Sequence, residues 1–371
     1  MESTGRPWHA SDPHPAEVPE CVAAALGRGV EEVRSGQVEL VARSNVPGLA
    51  TVGIWRQRGS DWSSVVKVVG HADHDGAVWG SDRDPVHPFY WRREADAFEH
   101  PLLASLRGGL RAPRPYGVQE RRDGSVAVWM EDVEGDPGSG WALPRYRLAA
   151  AHLGRMQGAL AESPDLLTPW LSRGWLRLYV ERRAGVSAIL DDVDAWRHPF
   201  VRAVLPVRRA AEFAALWDVR GGLLDVLAGY PRTLCQLDFH PRNLFDVDGD
   251  TVAIDWAFAG VGALGEDLGT LLVDAVADFH LPPTVLPELF ETLVAGYADG
   301  LAAAGRGLPR ADVRRAVAAG AAAKYGWLVP AFLTTATAGR PMMNGRPVED
   351  AAPFWAACAV FLLGLAREAL G

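Results

Sequence analysis

The sequence predicts an α+β chain of two lobes, a small five-stranded antiparallel lobe followed by a large, mostly helical one. Three observations lead there. Five short runs with alternating or β-branched apolar residues all fall before residue 131. A breaker cluster, EGDPGSG, follows at 134–140. Beyond it, long Ala- and Leu-rich stretches carry helical spacing. The boundary falls after Asp132, giving a first lobe with an N-terminal extension over 1–132 and a second over 133–371. A chain of 371 residues is long for one core, which agrees with two.

Taken in order, 16–27 fits a short helix after a polar, Pro- and His-rich start. Strands are expected at Gln37 to Asn45, Leu49 to Arg56 and Ser63 to Val69, the first two joined by the turn VPG. Residues 70–88 hold Gly, Asp and Pro without periodicity and read as a loop. Helical spacing over 89–107 breaks at Pro101, whose ring forbids a regular interior turn. Tyr116 to Gln119 and Ser125 to Met130 complete the strands, around the turn RRDG. Helices are expected at 144–161, 200–229, 284–304, 310–328 and 351–369.

Composition narrows the function classes. A net charge of -9 disfavours a nucleic-acid partner, which needs a basic face. Three cysteines without CxxC spacing read as reduced thiols. The start, MESTGRPWHASDPHP, lacks the basic and apolar segments of a signal peptide. Apolar runs such as Trp355 to Ala366 fall short of a comfortable bilayer span. A cytoplasmic protein with no membrane partner is expected; oligomeric state is not legible.

The chemistry concentrates in CQLDFHPRNLFDVDGDTVAIDW, residues 235–256. NLFDV and TVAIDW read as two strands joined by the turn DGD. Such a hairpin sets Asn243, before the first strand, beside Asp255, at the end of the second, with Asp238 on the entering loop. An amide oxygen and a carboxylate are hard donors that suit Mg2+, which commonly takes a few protein oxygens and completes its shell with phosphates. Asp238, one loop away, is placed to accept a proton from an attacking hydroxyl.

D-x-H-P-x-N followed by I-D-W resembles the signature of the aminoglycoside phosphotransferase and choline kinase-like family, which has a protein-kinase-like fold. The resemblance makes Asp238 the catalytic aspartate and Asn243 and Asp255 the metal ligands. It implies Mg2+ as cofactor, ATP or GTP as phosphoryl donor, and a small-molecule hydroxyl as acceptor. It also implies a lysine on the third strand, met by Lys67 in SSVVKVV, and a glutamate partner on the next helix, met by Glu94, with Glu99 as competitor. The phosphate-covering turn would be RSNVPG, with Ser44 and Asn45. The hinge contacting the nucleobase would use Met130, Glu131 and Val133. Asp267, in GALGEDLGTLL, would cap its helix or brace the catalytic loop. Gln236 departs from the family's usual His and would organise the loop by hydrogen bonding instead.

The expected function is transfer of a γ-phosphoryl group to a small-molecule hydroxyl, an antibiotic in a resistance or self-resistance setting. Two rivals stand beside it. One is a kinase acting on Ser or Thr of a ribosomal peptide, which would share every catalytic residue. The other is a nucleotide-binding scaffold without turnover, which the intact Lys67, Asp238, Asn243 and Asp255 oppose. Two acidic clusters read more simply. His71, Asp73, His74 and Asp75 fit no closed zinc site and belong to a solvated loop. Asp191, Asp192 and Asp194 read as a turn or helix start.

Overall fold

The computed structural model describes residues 19–43, 49–72 and 80–371. The chain divides into two compact units. The first runs to Ser105 and resumes over Ala112–Val133; the second comprises Leu106–Arg111 and Glu134–Gly371.

The first unit is built on five antiparallel strands: β1 (Gln37–Ala42), β2 (Thr51–Arg58), β3 (Ser63–Val69), β4 (Pro115–Glu120) and β5 (Val126–Glu131). Their spatial order is β1-β2-β3-β5-β4, so β3 is central. β1 and β2 pair antiparallel, though the expected turn between them, VPG, lies outside the described residues. One sheet face carries Trp55, Val66, Val68, Ala127 and Trp129. Val22, Ala23 and Val33, from short helices at Glu20–Leu26 and Val30–Arg34, cover that face. Because strand side chains alternate, Lys67 points to the other face. The stretch after the loop forms α1 (Arg93–Glu99) and a single turn, Pro101–Ala104. Pro101 opens that turn with His100 as its cap, so the break falls where the ring requires it.

In the second unit, β6 (Arg232–Cys235) lies antiparallel to β9 (Gly260–Ala263), and β7 (Leu244–Val247) forms a hairpin with β8 (Asp250–Ala253). Asp248 and Gly249 turn the hairpin in left-handed conformations (φ 53° and 89°), as a two-residue loop requires. The principal helices used below are α2 (Leu143–Leu160), α3 (Glu266–Ala277), α4 (Leu286–Ala303) and α5 (Arg310–Tyr325).

Three expectations are corrected. The single helix over 200–229 is three pieces, Pro199–Val204, Ala210–Asp218 and Arg220–Ala228; Pro206 forces Leu205 into extended backbone and makes the first break, and Val219 separates the other two pieces. The helix from 310 stops at Tyr325, and another, Leu328–Thr337, follows Gly326 and Trp327. Third, two stretches, Arg310–Thr337 and Val348–Leu370, are long and apolar enough to cross a membrane; 83% and 50% of their most apolar windows are buried inside the fold, as in core helices.

α2 and α4 pack backbone to backbone. A Cβ on Gly300 would stand 2.1 Å from the Ala151 oxygen, one on Gly296 2.2 Å from the Arg147 oxygen, and one on Gly154 2.4 Å from the Tyr297 oxygen. Backbone cannot move aside as a side-chain tip can, so these glycines fix the spacing of the two helices. Overpacking a close core contact costs about 1–3 kcal/mol. Gly300→Ala is therefore expected to lower stability by about that amount, measured by urea denaturation.

Candidate active site

In the first unit, Lys67 sits on central strand β3, between Ile54 of β2 and Val128 of β5, and is buried. Its Nζ lies 2.5 Å from Glu94 Oε2, and Glu94 is equally buried. A lysine at a sheet edge keeps its head in solvent; this one does not. A buried pair of this kind costs about 3–5 kcal/mol to break from one side, so each residue holds the other's rotamer. Glu94 is held in turn by its neighbour. Arg93 is fully buried and donates to the carbonyls of Pro85 (3.0 Å), His87 (2.6 Å) and Pro88 (2.8 Å), tying the preceding loop to the start of α1. Glu99 points outward and pairs with Arg92 at 3.1 Å.

The residues expected at the nucleobase fall at the end of β5. Met130 is a ladder residue, opposite Val65 and Pro115. Glu131 donates its peptide N–H to Arg114 O (2.9 Å), and its carboxylate accepts the Arg114 peptide N–H (2.9 Å). Asp132, beyond the ladder, is fastened to Arg56 Nε at 2.8 Å, and Val133 follows it. Ser44 and Asn45 lie outside the described residues, as do Asp73, His74 and Asp75.

In the second unit, β6 delivers the loop 236–243. Gln236 is completely buried and makes three hydrogen bonds. Its Oε1 accepts from the Asp238 peptide N–H (2.9 Å), while its Nε2 donates to the carbonyls of Ile254 (2.9 Å) and Asp255 (2.7 Å). One side chain thus joins the segments that carry Asp238 and Asp255. The amide suits this task because it accepts at one end and donates twice at the other.

Leu237 adopts φ 68° and Asp255 φ 58°, left-handed conformations costing about 1–2 kcal/mol each. β8 ends at Ala253, so Asp255 lies two residues beyond the strand rather than at its end as the sequence implied. The kink leaves its carbonyl toward Gln236 and is anchored by fully buried Trp256, whose indole donates to Ala253 O (2.7 Å). Asn243 ends a short 3-10 turn, Pro241–Asn243, and donates from Nδ2 to Asp238 O (3.1 Å) and Oδ2 (3.3 Å). With the amide nitrogen directed at Asp238, the amide oxygen is turned the other way.

Asp267 braces the loop rather than capping α3, since the N-cap residue is Gly265 and no side chain caps it. It accepts from Leu237 N (2.7 Å), Gln236 N (3.0 Å) and Gln157 Nε2 (2.9 Å). Burial pushes its carboxyl up, to about 7, against those amides.

Asp238 is half-buried, with His240 Nε2 3.4 Å from its Oδ2. Burial raises the Asp238 carboxyl, but His240, with Lys324 and Arg242 at longer range, outweighs it and holds the carboxyl at about 2. Burial lowers the His240 imidazole, and the Asp238 charge more than reverses this. Arg242 pairs with Asp278 (3.1 Å), one turn along α3 from Asp274, whose carboxyl burial pushes up to about 6. Asp192, from the other acidic run, caps a short helix, accepting from Asp194 N (2.9 Å).

Asn243 and Asp255 offer an amide oxygen and a carboxylate, a hard donor set that fits Mg2+. Among the described residues no group of three or more His, Cys, Asp and Glu could hold an ion by itself. A cation at these two residues would complete its shell with other oxygens, as Mg2+ does with phosphates.

Residues 55–312 match the model of the phosphotransferase enzyme family (APH). No curated protein matches the sequence. Among solved structures, a choline/ethanolamine kinase family protein from Mesorhizobium loti is similar over 95% of this chain and 99% of its own, with 16% identity and a TM-score of 0.52. A spectinomycin phosphotransferase in complex with ADP and spectinomycin covers 89% of this chain and 93% of its own, with 11% identity and a TM-score of 0.51. The amicoumacin kinase hAmiN, in complex with AMP-PNP, Ca2+ and Ami, covers 88% of each chain, with 14% identity and a TM-score of 0.50. At these identities the likeness establishes the fold, a protein-kinase-like α+β architecture.

The Asp238–His240 pair gives a direct electrostatic expectation. In Asp238→Asn the carboxylate that raises His240 is gone and burial remains. The His240 imidazole should then titrate below its ordinary 6.5, whereas in the unaltered chain it titrates above that value, as followed by NMR of the histidine ring protons.

Proposed function

We propose, for a chain that belongs to the phosphotransferase enzyme family (APH), that it transfers the γ-phosphoryl group of ATP or GTP to a hydroxyl of a small molecule. The observation that supports this most is the Gln236 bridge between the Asp238 loop and the Asp255 segment, with Asn243 donating to Asp238.

In this reading Asp238 orients the acceptor hydroxyl. The acceptor O–P bond forms, the bond from phosphorus to the β–γ bridging oxygen breaks, the nucleoside diphosphate leaves, and Asp238 takes the hydroxyl proton. A carboxyl held at about 2 is a poor base for a free alcohol. It serves once the O–P bond is well advanced, which is when the proton becomes acidic in a loose transition state. Asn243 and Asp255 would hold Mg2+, which when bound neutralises charge developing on the phosphate oxygens. Lys67, kept in place by Glu94, would hold the donor phosphates. Ser44 and Asn45 would cover them, and Met130, Glu131 and Val133 would line the nucleobase. The Glu131 peptide N–H is committed to Arg114, so a base would be met by the peptide groups at Asp132 and Val133.

An antibiotic is the acceptor class favoured here, because two of the proteins sharing the fold are bound to one. The test is a transfer screen with ATP and GTP against aminoglycoside, nucleoside and peptide antibiotics, read as the mass gain of one phosphoryl group. Transfer to a peptide serine or threonine would replace the small-molecule reading. Nucleotide binding without transfer to any class would favour a scaffold.

Against the acceptor so found, Asp238→Asn should lower turnover by about 10²- to 10⁴-fold, the usual contribution of a positioned base, with nucleotide affinity nearly unchanged. Asp255→Ala should abolish Mg2+-dependent turnover with the fold intact by circular dichroism. Turnover in Asp255→Ala with the unaltered chain's Mg2+ dependence would remove that residue from the mechanism.

A further inference from the structure

One buried charge has no part in the reaction described so far. Lys324, on α5, is 7% exposed. Among the described residues no carboxylate pairs with it directly. Its Nζ donates to Thr270 Oγ1 (2.7 Å) and, at longer range, to Leu237 O (3.4 Å). Three rings surround it, with centroids 4.8 Å (Trp175), 5.6 Å (Tyr325) and 5.7 Å (Tyr179) from Nζ. An apolar residue would fill this space without desolvating an ammonium ion, so packing alone does not account for a lysine. The rings would suit a substrate ammonium, but the chain's own cation occupies them.

What the lysine reaches is the residue before Asp238. Leu237 is held in the left-handed region, unfavourable for a leucine, and both of its peptide groups are engaged by side chains. Its N–H goes to Asp267 Oδ1 (2.7 Å), and its C=O faces Lys324. Asp267 and Thr270, three residues apart on α3, lie on one helix face. The two helices therefore grip one strained residue from both ends, and its conformation sets where the Asp238 side chain points. Asp238, Glu266, Asp267 and Asp274 all feel the lysine as a stabilising positive charge.

We propose that Lys324 is a positioning residue, its ammonium fixing the Leu237 peptide and through it the direction of Asp238. The proposal rests on the reading of Asp238 as the group that orients the acceptor.

The test uses the full chain and Lys324→Met, which keeps volume and removes charge. Amide hydrogen exchange, followed by mass spectrometry over 235–243, reads the loop without any acceptor. Exchange at Leu237 and Asp238 should quicken by about tenfold or more while helices away from the loop keep their protection. With an acceptor in hand, kcat should fall about 10- to 100-fold, the effect of a small misplacement, and both KM values should stay within about twofold. In Lys324→Ala, ethylammonium should restore both slow exchange and turnover saturably, whereas ethanol should not. Unchanged loop exchange in Lys324→Met overturns the proposal, as does equal rescue by ethanol. If Lys324→Met does not fold, Thr270→Val removes only the 2.7 Å anchor, and it must quicken loop exchange or the proposal falls. A wild-type chain that transfers phosphate to nothing overturns the proposed function alone, because the exchange measurement still decides the role of Lys324.

Discussion

The Asp238 and Asp255 segments are separate in sequence, and both leave regular structure, at Leu237 and at Asp255. Gln236 is what makes them one object. Its three hydrogen bonds, at about 0.5–1.5 kcal/mol each, are of the size needed to offset the left-handed backbone at Leu237 and Asp255. They act beside the Asp267 and Lys324 contacts that hold the Leu237 peptide and the Trp256 anchor that follows Asp255. The bridge is inside the fold, where water cannot substitute for a lost partner, so its removal would leave two carbonyls and one peptide N–H buried and unsatisfied.

The surrounding helices extend the same logic outward. Asp267 accepts the peptide N–H groups of Gln236 and Leu237, and Gln157 reaches it from α2. Tyr297 on α4 donates to Gln157 and accepts from the Gly265 peptide N–H, at the foot of α3. This polar network needs α2 and α4 at a fixed distance, and Gly154, Gly296 and Gly300 set that distance. Close packing of α2 and α4 is in this way connected, through Gln157, Tyr297 and Asp267, to the loop that carries Asp238. In the first unit the same economy holds on a smaller scale: Arg93 fixes the start of α1, α1 presents Glu94, and Glu94 holds Lys67.

Local patterns carried much of this. The strand-rich then helix-rich order followed from periodicity, and the structure has the five antiparallel strands. β3 was readable at both ends because SSVVKVV has one β-branched run bounded by polar turns. Lys67 stood out there because a charge inside an apolar strand needs a partner. The hairpin between Asn243 and Asp255 was legible from its turn residues. What sequence could not show was whatever depends on distant chain. Lys324 lies in a plain Ala-rich helical stretch, and nothing local marks it as buried beneath Leu237. Gln157 and Tyr297 are equally silent. The kink that takes Asp255 off the strand looked like strand continuation, since Ile254 and Trp256 keep the apolar alternation. Over 200–229 the apolar spacing is that of one helix and masks Pro206, although a proline there denies its predecessor the helical region.

Gln236 has the central role of holding the two carboxylate-bearing segments in register. Leucine at 236 is close in size and makes none of the three hydrogen bonds. The most direct measurement is Mg2+-dependent nucleotide consumption by Gln236→Leu, with cooperative unfolding verified on the same sample. With that role, consumption falls by about 10²-fold or more in a chain that still folds. A folded Gln236→Leu protein turning over at the wild-type rate would contradict it.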